Sequence, residues 1–136
     1  MEKDRQIRPD SVAAAVSREI VAVLKDAVGR GPTKAKTYFH DDCVLILLRE
    51  GHTQSEATMF EGGGQRGVAQ GRVDLAEAIR DPLTEVIERN LDRKVAGFLS
   101  SSQQHPDLIS FVFVLETSPL LEPPDGETEV EVEVEE

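Results

Sequence analysis

The sequence predicts an α+β domain of two layers: a four-stranded, mainly antiparallel sheet with helices on one face, in the order helix, hairpin, helices, hairpin. Three observations carry this. Apolar residues near the N-terminus recur at spacings of three and four, two pairs of short strand-like runs are each joined by a polar segment, and a second helix-spaced stretch lies between the pairs.

The first helix carries Val12, Val16, Ile20, Val23, Leu24 and Ala27 as one stripe, with Asp10 or Ser11 placed to cap its start. Gly29 supplies the left-handed residue that ends a helix without a Cβ penalty, and Pro32 cannot continue one, so the helix ends near Val28. A strand follows over residues 33–39, with Ala35, Thr37 and Phe39 on one face and Lys34, Lys36 and Tyr38 on the other. His40, Asp41 and Asp42 make the turn. Residues 43–48 are apolar on both faces, the pattern of an interior strand covered at least partly on both sides, and Arg49, Glu50 and Gly51 close it.

Thr53 and Glu56 have the spacing of a capping box, so a short helix begins there. Gly62, Gly63 and Gly64 break it into a loop or hinge, because each glycine leaves more backbone entropy to be lost. From Val68 onward, Leu75, Ile79, Leu83, Val86, Ile87 and Leu91 keep helical spacing around Pro82. This predicts one long bent helix, with two helices meeting at Pro82 as the alternative. Residues 94–100 and 108–115 read as the second strand pair, joined by residues 101–107.

A chain of 136 residues and 15.0 kDa has the size of one domain, assigned to residues 11–116 between an N-terminal tail (1–10) and an acidic tail (117–136). The net charge of −11 sits mostly in that tail: residues 116–136 hold nine acids and no Lys or Arg, leaving 17 acids against 15 bases elsewhere. The tail is Pro-punctuated and poor in bulky apolar residues, a composition that favours disorder, and its surplus of acid disfavours phosphate-driven nucleic-acid binding. Val130, Val132 and Val134 alternate with Glu, which would also suit a strand added to a partner's sheet edge. No apolar run reaches the roughly 18 to 20 residues needed to span a bilayer, and the charged N-terminus lacks an apolar signal core. With Cys43 as the single cysteine, the expectation is a soluble cytoplasmic protein without internal disulfides.

Neither a catalytic set nor a cofactor or metal site emerges from the residues. His40, Asp41, Asp42 and Cys43 are adjacent in a turn and cannot converge on one ion, and His52 lies near the far end of the strand, roughly 30 Å from Cys43 at ~3.3 Å per residue. His105 stands before Pro106 in a polar loop, exposed and with no visible partner. Ser100, Ser101 and Ser102 form a polar turn without a histidine arranged beside them. Glu77, Asp81, Glu85 and Glu88 alternate with Arg80 and Arg89 as a solvated, salt-bridged face. Arg30, Lys34 and Lys36 follow a helix C-terminus, where the dipole repels anions. The segment 62–67 does precede a helix, so Gly63, Gly64, Arg66 and Arg72 make a candidate anion loop.

As a set, GRGP at 29–32, the Lys-rich strand ending in Tyr38, Asp41 with Asp42, the apolar strand to Leu48, and Thr53 with Glu56 are distinctive. Gly71 with Arg72, Arg80, Pro82, the helix around Ile87 and FVFVLE at 111–116 follow in order. Together they resemble the small bacterial MpsC-like proteins over about residues 12–116. His52, where the family usually carries leucine, and the triple glycine, where it is normally helical, depart from the pattern. The resemblance implies a soluble, non-catalytic accessory or regulatory protein linked to bacterial ion or bicarbonate transport, without a pore of its own. Its expected partners are a membrane transport protein or a second copy in a homodimer, docking through the exposed face Arg30, Lys34, Lys36 and Tyr38. The alternatives are a small-molecule or anion-binding module, or a structural homodimer joined along the long helix.

Overall fold

A proline at its first position and a glycine just past its last bracket α1 (Pro9–Val28). Gly29 takes the left-handed conformation (φ 80°), and its N–H donates to the Lys25 carbonyl at 2.8 Å, stopping the helix where expected. The start differs: Arg8 is the N-cap without a side-chain bond, and the fixed φ of Pro9 opens the helix ahead of Asp10 and Ser11. The computed structural model describes residues 8–51, 53–119, 121 and 130–133; most of the expected N-terminal tail, His52 and the greater part of the acidic tail lie outside these.

β1 (Lys34–His40) and β2 (Cys43–Arg49) form the first hairpin, in register from Lys34 opposite Arg49 to His40 opposite Cys43. Asp41 occupies the turn at φ 52°, a conformation that aspartate tolerates better than most side chains. α2 (Gln54–Glu61) starts on the predicted capping box: Thr53 Oγ1 accepts the Glu56 N–H at 3.1 Å, and Glu56 Oε1 accepts the Thr53 N–H at 3.1 Å.

α3 (Gln65–Ala78) and α4 (Arg80–Leu91) replace the single bent helix, and the break falls at Ile79 instead of Pro82. The displacement has a steric cause. A proline ring excludes the carbonyl four residues upstream, here that of Ala78, while its missing N–H costs nothing in the first turn of a new helix. The chain therefore ends one helix at Ala78 and seats Pro82 early in the next.

β3 (Val95–Gln103) and β4 (Leu108–Leu115) make the second hairpin. β3 runs past Ser100 through Ser101 and Ser102, which were expected in the connection, because their register opposite Ser110 and Ile109 extends the ladder and Ser101 Oγ meets Ser110 Oγ at 2.9 Å. β5 (Val130–Glu133) belongs to the segment expected to be a disordered tail. It pairs antiparallel with β1 of its own chain, where a partner's edge was the alternative, so the sheet has five strands in the order β3-β4-β2-β1-β5. The four predicted strands and the helical layer are present as an α+β fold.

Alternation sorts the sheet into two faces. Ala35 and Thr37 on β1, Val44, Ile46 and Leu48 on β2, and Phe111, Phe113 and Leu115 on β4 point inward and are buried against Val16, Ile20 and Leu24 of α1 and Leu83, Ile87 and Leu91 of α4. Ser17 and Thr37, both fully buried, bond through their hydroxyls at 2.7 Å across this interface. Arg89 does not stay within its own helix face: it reaches Glu19 of α1 at 2.7 Å and ties α4 to α1.

Candidate functional site

Lys34, Lys36 and Tyr38 alternate with the buried residues of β1 and so stand on the outward face, opposite Arg49, Leu47 and Leu45 of β2. The ladder continues this face through Val112 and Val114 of β4 to Leu99 of β3, which is 65% exposed. At least partial cover on both sides was expected for residues 43–48, and Cys43, Leu45 and Leu47 are half-buried, flanked by neighbouring strands; among the described residues, the helices that pack on the sheet share the other face. The structure thus joins three of the four predicted surface residues to an aliphatic field. Arg30 is not among them; it lies beyond the end of α1 and lines a cavity.

The candidate anion loop is divided in the same way. Gly63 turns at φ 88°, and the Gly64 N–H donates to the Met59 carbonyl at 2.6 Å, so this amide closes the α2–α3 turn. A Cβ on Gly64 would come within 2.8 Å of the same oxygen, which explains a glycine at that position. Arg66 is exposed on the first turn of α3, whereas Arg72 lies nearly two turns on and is buried.

Arg72 falls where the apolar stripe of α3 would place a hydrophobic residue, between Val68 and Leu75. A buried guanidinium requires partners, and two arrive from distant elements. Glu56 of α2 accepts from Nε through Oε2 at 3.1 Å, and Asp107 of the β3–β4 turn accepts from Nη2 through Oδ1 at 2.8 Å. Nη1 is buried and has no partner among the described residues. Beside this network lies a cavity of about 220 Å³ with walls from Leu24, Leu75 and Ile109 and polar edges from Arg30, Thr53 and Arg72 itself. Arg72 was legible as a candidate, but Glu56 and Asp107 were not assigned to it. The available signal was a lone cation within an apolar helical stripe.

His105, expected to stand without a partner, stacks on Phe60 of α2 with centroids 4.7 Å apart, close to Asp107 in the same turn. His40 and Asp41 approach at 3.5 Å on the opposite end of the molecule's first hairpin, both strongly exposed. Among the described residues no group of three or more His, Cys, Asp or Glu is arranged to hold a metal ion, and no helix is long and apolar enough to cross a membrane.

No curated protein and no solved structure matches the chain significantly. The family described as Na+-translocating membrane potential-generating system (MpsC) matches it over residues 9–117, from the first residue of α1 to just past β4. With that match covering most of its length, the chain belongs to the MpsC family.

Proposed function

We propose that this protein is a non-catalytic accessory or regulatory component of a bacterial membrane ion or bicarbonate transport system, acting from the cytoplasm by docking its open sheet face on a membrane partner. The observation that carries the reading is that face. Among the described residues no helix packs on it, and an antiparallel sheet open on one side normally makes that side polar. Here Leu45, Leu47, Val112, Val114 and Leu99 form its centre, with Lys34, Lys36 and Tyr38 at one margin. A contiguous aliphatic patch with a polar margin is the surface pattern of an interaction site. The family description supplies the transport context.

The test is capture from solubilised membranes of the source bacterium with the tagged full chain and two variants, Lys34→Glu/Lys36→Glu and Leu45→Asp/Leu99→Asp. A membrane transport protein is expected with the native chain, with recovery falling at least about tenfold for both variants while their thermal melts stay near native. Equal recovery by all three, or recovery of no membrane protein, overturns the reading.

The aliphatic centre carries no charge and equally suits a second copy of the chain meeting it face to face. A homodimer along the long helix has no such support, since the apolar stripe of α4 is consumed by the core at Leu83, Val86, Ile87 and Leu91. Light scattering of the Leu45→Asp/Leu99→Asp variant separates the cases: a native dimer that becomes monomeric assigns the face to self-association.

A further inference from the structure

We infer that the outer edge of β1 is a strand-recognition site for an extended acidic segment of a partner protein, in which Glu or Asp alternates with β-branched residues, and that β5 fills this site in cis. The family match covers residues 9–117, and within them the sheet is β3-β4-β2-β1. β1 is therefore the edge strand of that domain, and β5 comes from the segment that follows it. An edge strand offers a row of backbone N–H and C=O groups to an extended chain, which is the basis of recognition by strand addition. The site is the edge of β1, not the sheet face, and it does not depend on a membrane partner.

Register supplies the selectivity. Antiparallel pairing sets Glu133 opposite Lys34, Val132 opposite Ala35, Glu131 opposite Lys36 and Val130 opposite Thr37. Ala35 and Thr37 are buried, so the positions opposite them call for the β-branched residues that suit a half-buried sheet. Lys34 and Lys36 belong to the other face, and Lys34 already has Arg49 directly opposite it on β2. Like charges opposite one another in a ladder are destabilising, and an acid on the outer flank of Lys34 offsets this. A strand without acids would cover the lysines and leave the repulsion in place. The lysines that turn away an apolar strand thus select an acidic one.

The hold of β5 suits a strand that can be displaced. It is four residues long, against seven for β1 and for β2. The chain leading to it is anchored upstream, where the Ser118 carbonyl accepts from Arg93 Nε at 3.0 Å and Leu121 packs partly buried against the core. Eight residues, 122–129, then separate Leu121 from Val130. A flexible tether of that length holds its strand at an effective concentration on the order of millimolar. A partner segment must outcompete that, so a longer or better-matched strand gains the edge and chance sequences do not.

The experiment uses the 15N-labelled full chain, native and in two forms that weaken β5 without changing its charge, Val132→Pro and Val130→Gly/Val132→Gly. The probe is a synthetic peptide of residues 127–136, in which Glu and Val alternate from 129 to 135. Two controls accompany it: a peptide of the same composition with the valines adjacent, and one with Lys in place of every Glu. Both weakened forms should bind the probe at least about tenfold more tightly than the native chain, with movement of the β1 amides that do not bond to β2. Both control peptides should bind Val132→Pro at least about tenfold more weakly than the probe does, and adding Lys34→Glu/Lys36→Glu to that variant should weaken the probe by a similar factor. No binding at millimolar probe, equal affinity in native and weakened chains, unmoved β1 amides, or a control peptide binding as tightly as the probe overturns the assignment. A one-to-one complex between native chain and Val132→Pro at micromolar concentration, absent from either alone, overturns it as well by giving the edge to a second copy.

Discussion

Glu56 joins Arg72 with one carboxylate oxygen and caps its own helix with the other: Oε2 accepts from Arg72 Nε at 3.1 Å while Oε1 accepts the Thr53 N–H at 3.1 Å. The start of α2 and the burial of α3 are therefore coupled through a single side chain. Asp107 extends the coupling to the sheet, since it binds Arg72 through its side chain and the Glu50 N–H through its carbonyl at 3.4 Å.

Replacing Arg72 by Met leaves two mostly buried carboxylates facing an apolar side chain, and removing one member of a buried ionic network costs about 3–5 kcal/mol. Urea denaturation should show a loss near the lower end of that range, because Glu56 and Asp107 retain some solvent contact. Glu56→Gln should lose about 1–2 kcal/mol, since the amide oxygen still caps Thr53 while the charge on Arg72 loses one partner. Losses of similar size in the two variants would show that Arg72 is not the centre of the network.

The buried hydroxyls of Ser17 and Thr37 give a prediction that turns on pairing and not on polarity. Ser17→Ala strands the Thr37 hydroxyl and should cost about 1–3 kcal/mol, whereas Ser17→Ala/Thr37→Val removes both groups and should lie closer to native than the single variant. A double-mutant cycle by chemical denaturation measures this directly. Additive losses would mean that a third group satisfies one of the hydroxyls.

What was legible in the sequence divides by the range of the interaction. The β1–β2 hairpin and the Thr53–Glu56 cap could be read because strand alternation and a four-residue motif are local, and the structure places both where they were expected. The break at Ile79 was misplaced by three residues because a proline disturbs the carbonyl four positions upstream, so the residue that causes the break is not the one at which it occurs. The Arg72–Asp107 bond spans 35 residues and depends on how the β3–β4 turn sits against α3, which no local pattern encodes. That the described helices pack on only one side of β2 was hidden for a related reason: apolar residues on both faces describe a strand, not what lies over it.

Two glycines in the same region should respond to alanine with opposite signs. Gly71 is exposed within α3 and a Cβ there meets nothing within 4 Å, so Gly71→Ala should add about 0.5–1 kcal/mol by restricting the unfolded chain. Gly64→Ala places its Cβ 2.8 Å from the Met59 carbonyl oxygen that its own amide bonds, and should cost about 1–3 kcal/mol as the α2–α3 turn opens. Thermal melts of the two variants should move in opposite directions. A common direction would refute the turn geometry.

β5 tests whether the acidic segment protects an edge of the sheet. It pairs with Lys34, Ala35, Lys36 and Thr37 of β1, setting Glu133, Val132, Glu131 and Val130 opposite them. An unpaired edge strand exposes a row of backbone donors and acceptors, and lysines along it discourage a foreign strand from adding there. Val132→Pro removes a ladder N–H and constrains the backbone without altering the charge of the segment. Hydrogen exchange of the β1 amides that do not bond to β2 should then accelerate toward the rate of an open edge, while amides of β4, enclosed between β2 and β3, stay slow. Because Lys34 and Lys36 remain on the exposed edge, the variant should not acquire new high-order association in light scattering. Unchanged exchange at β1 would mean that pairing with β5 does not protect that edge in solution, and large aggregates would mean that the lysines do not guard it once the strand is gone.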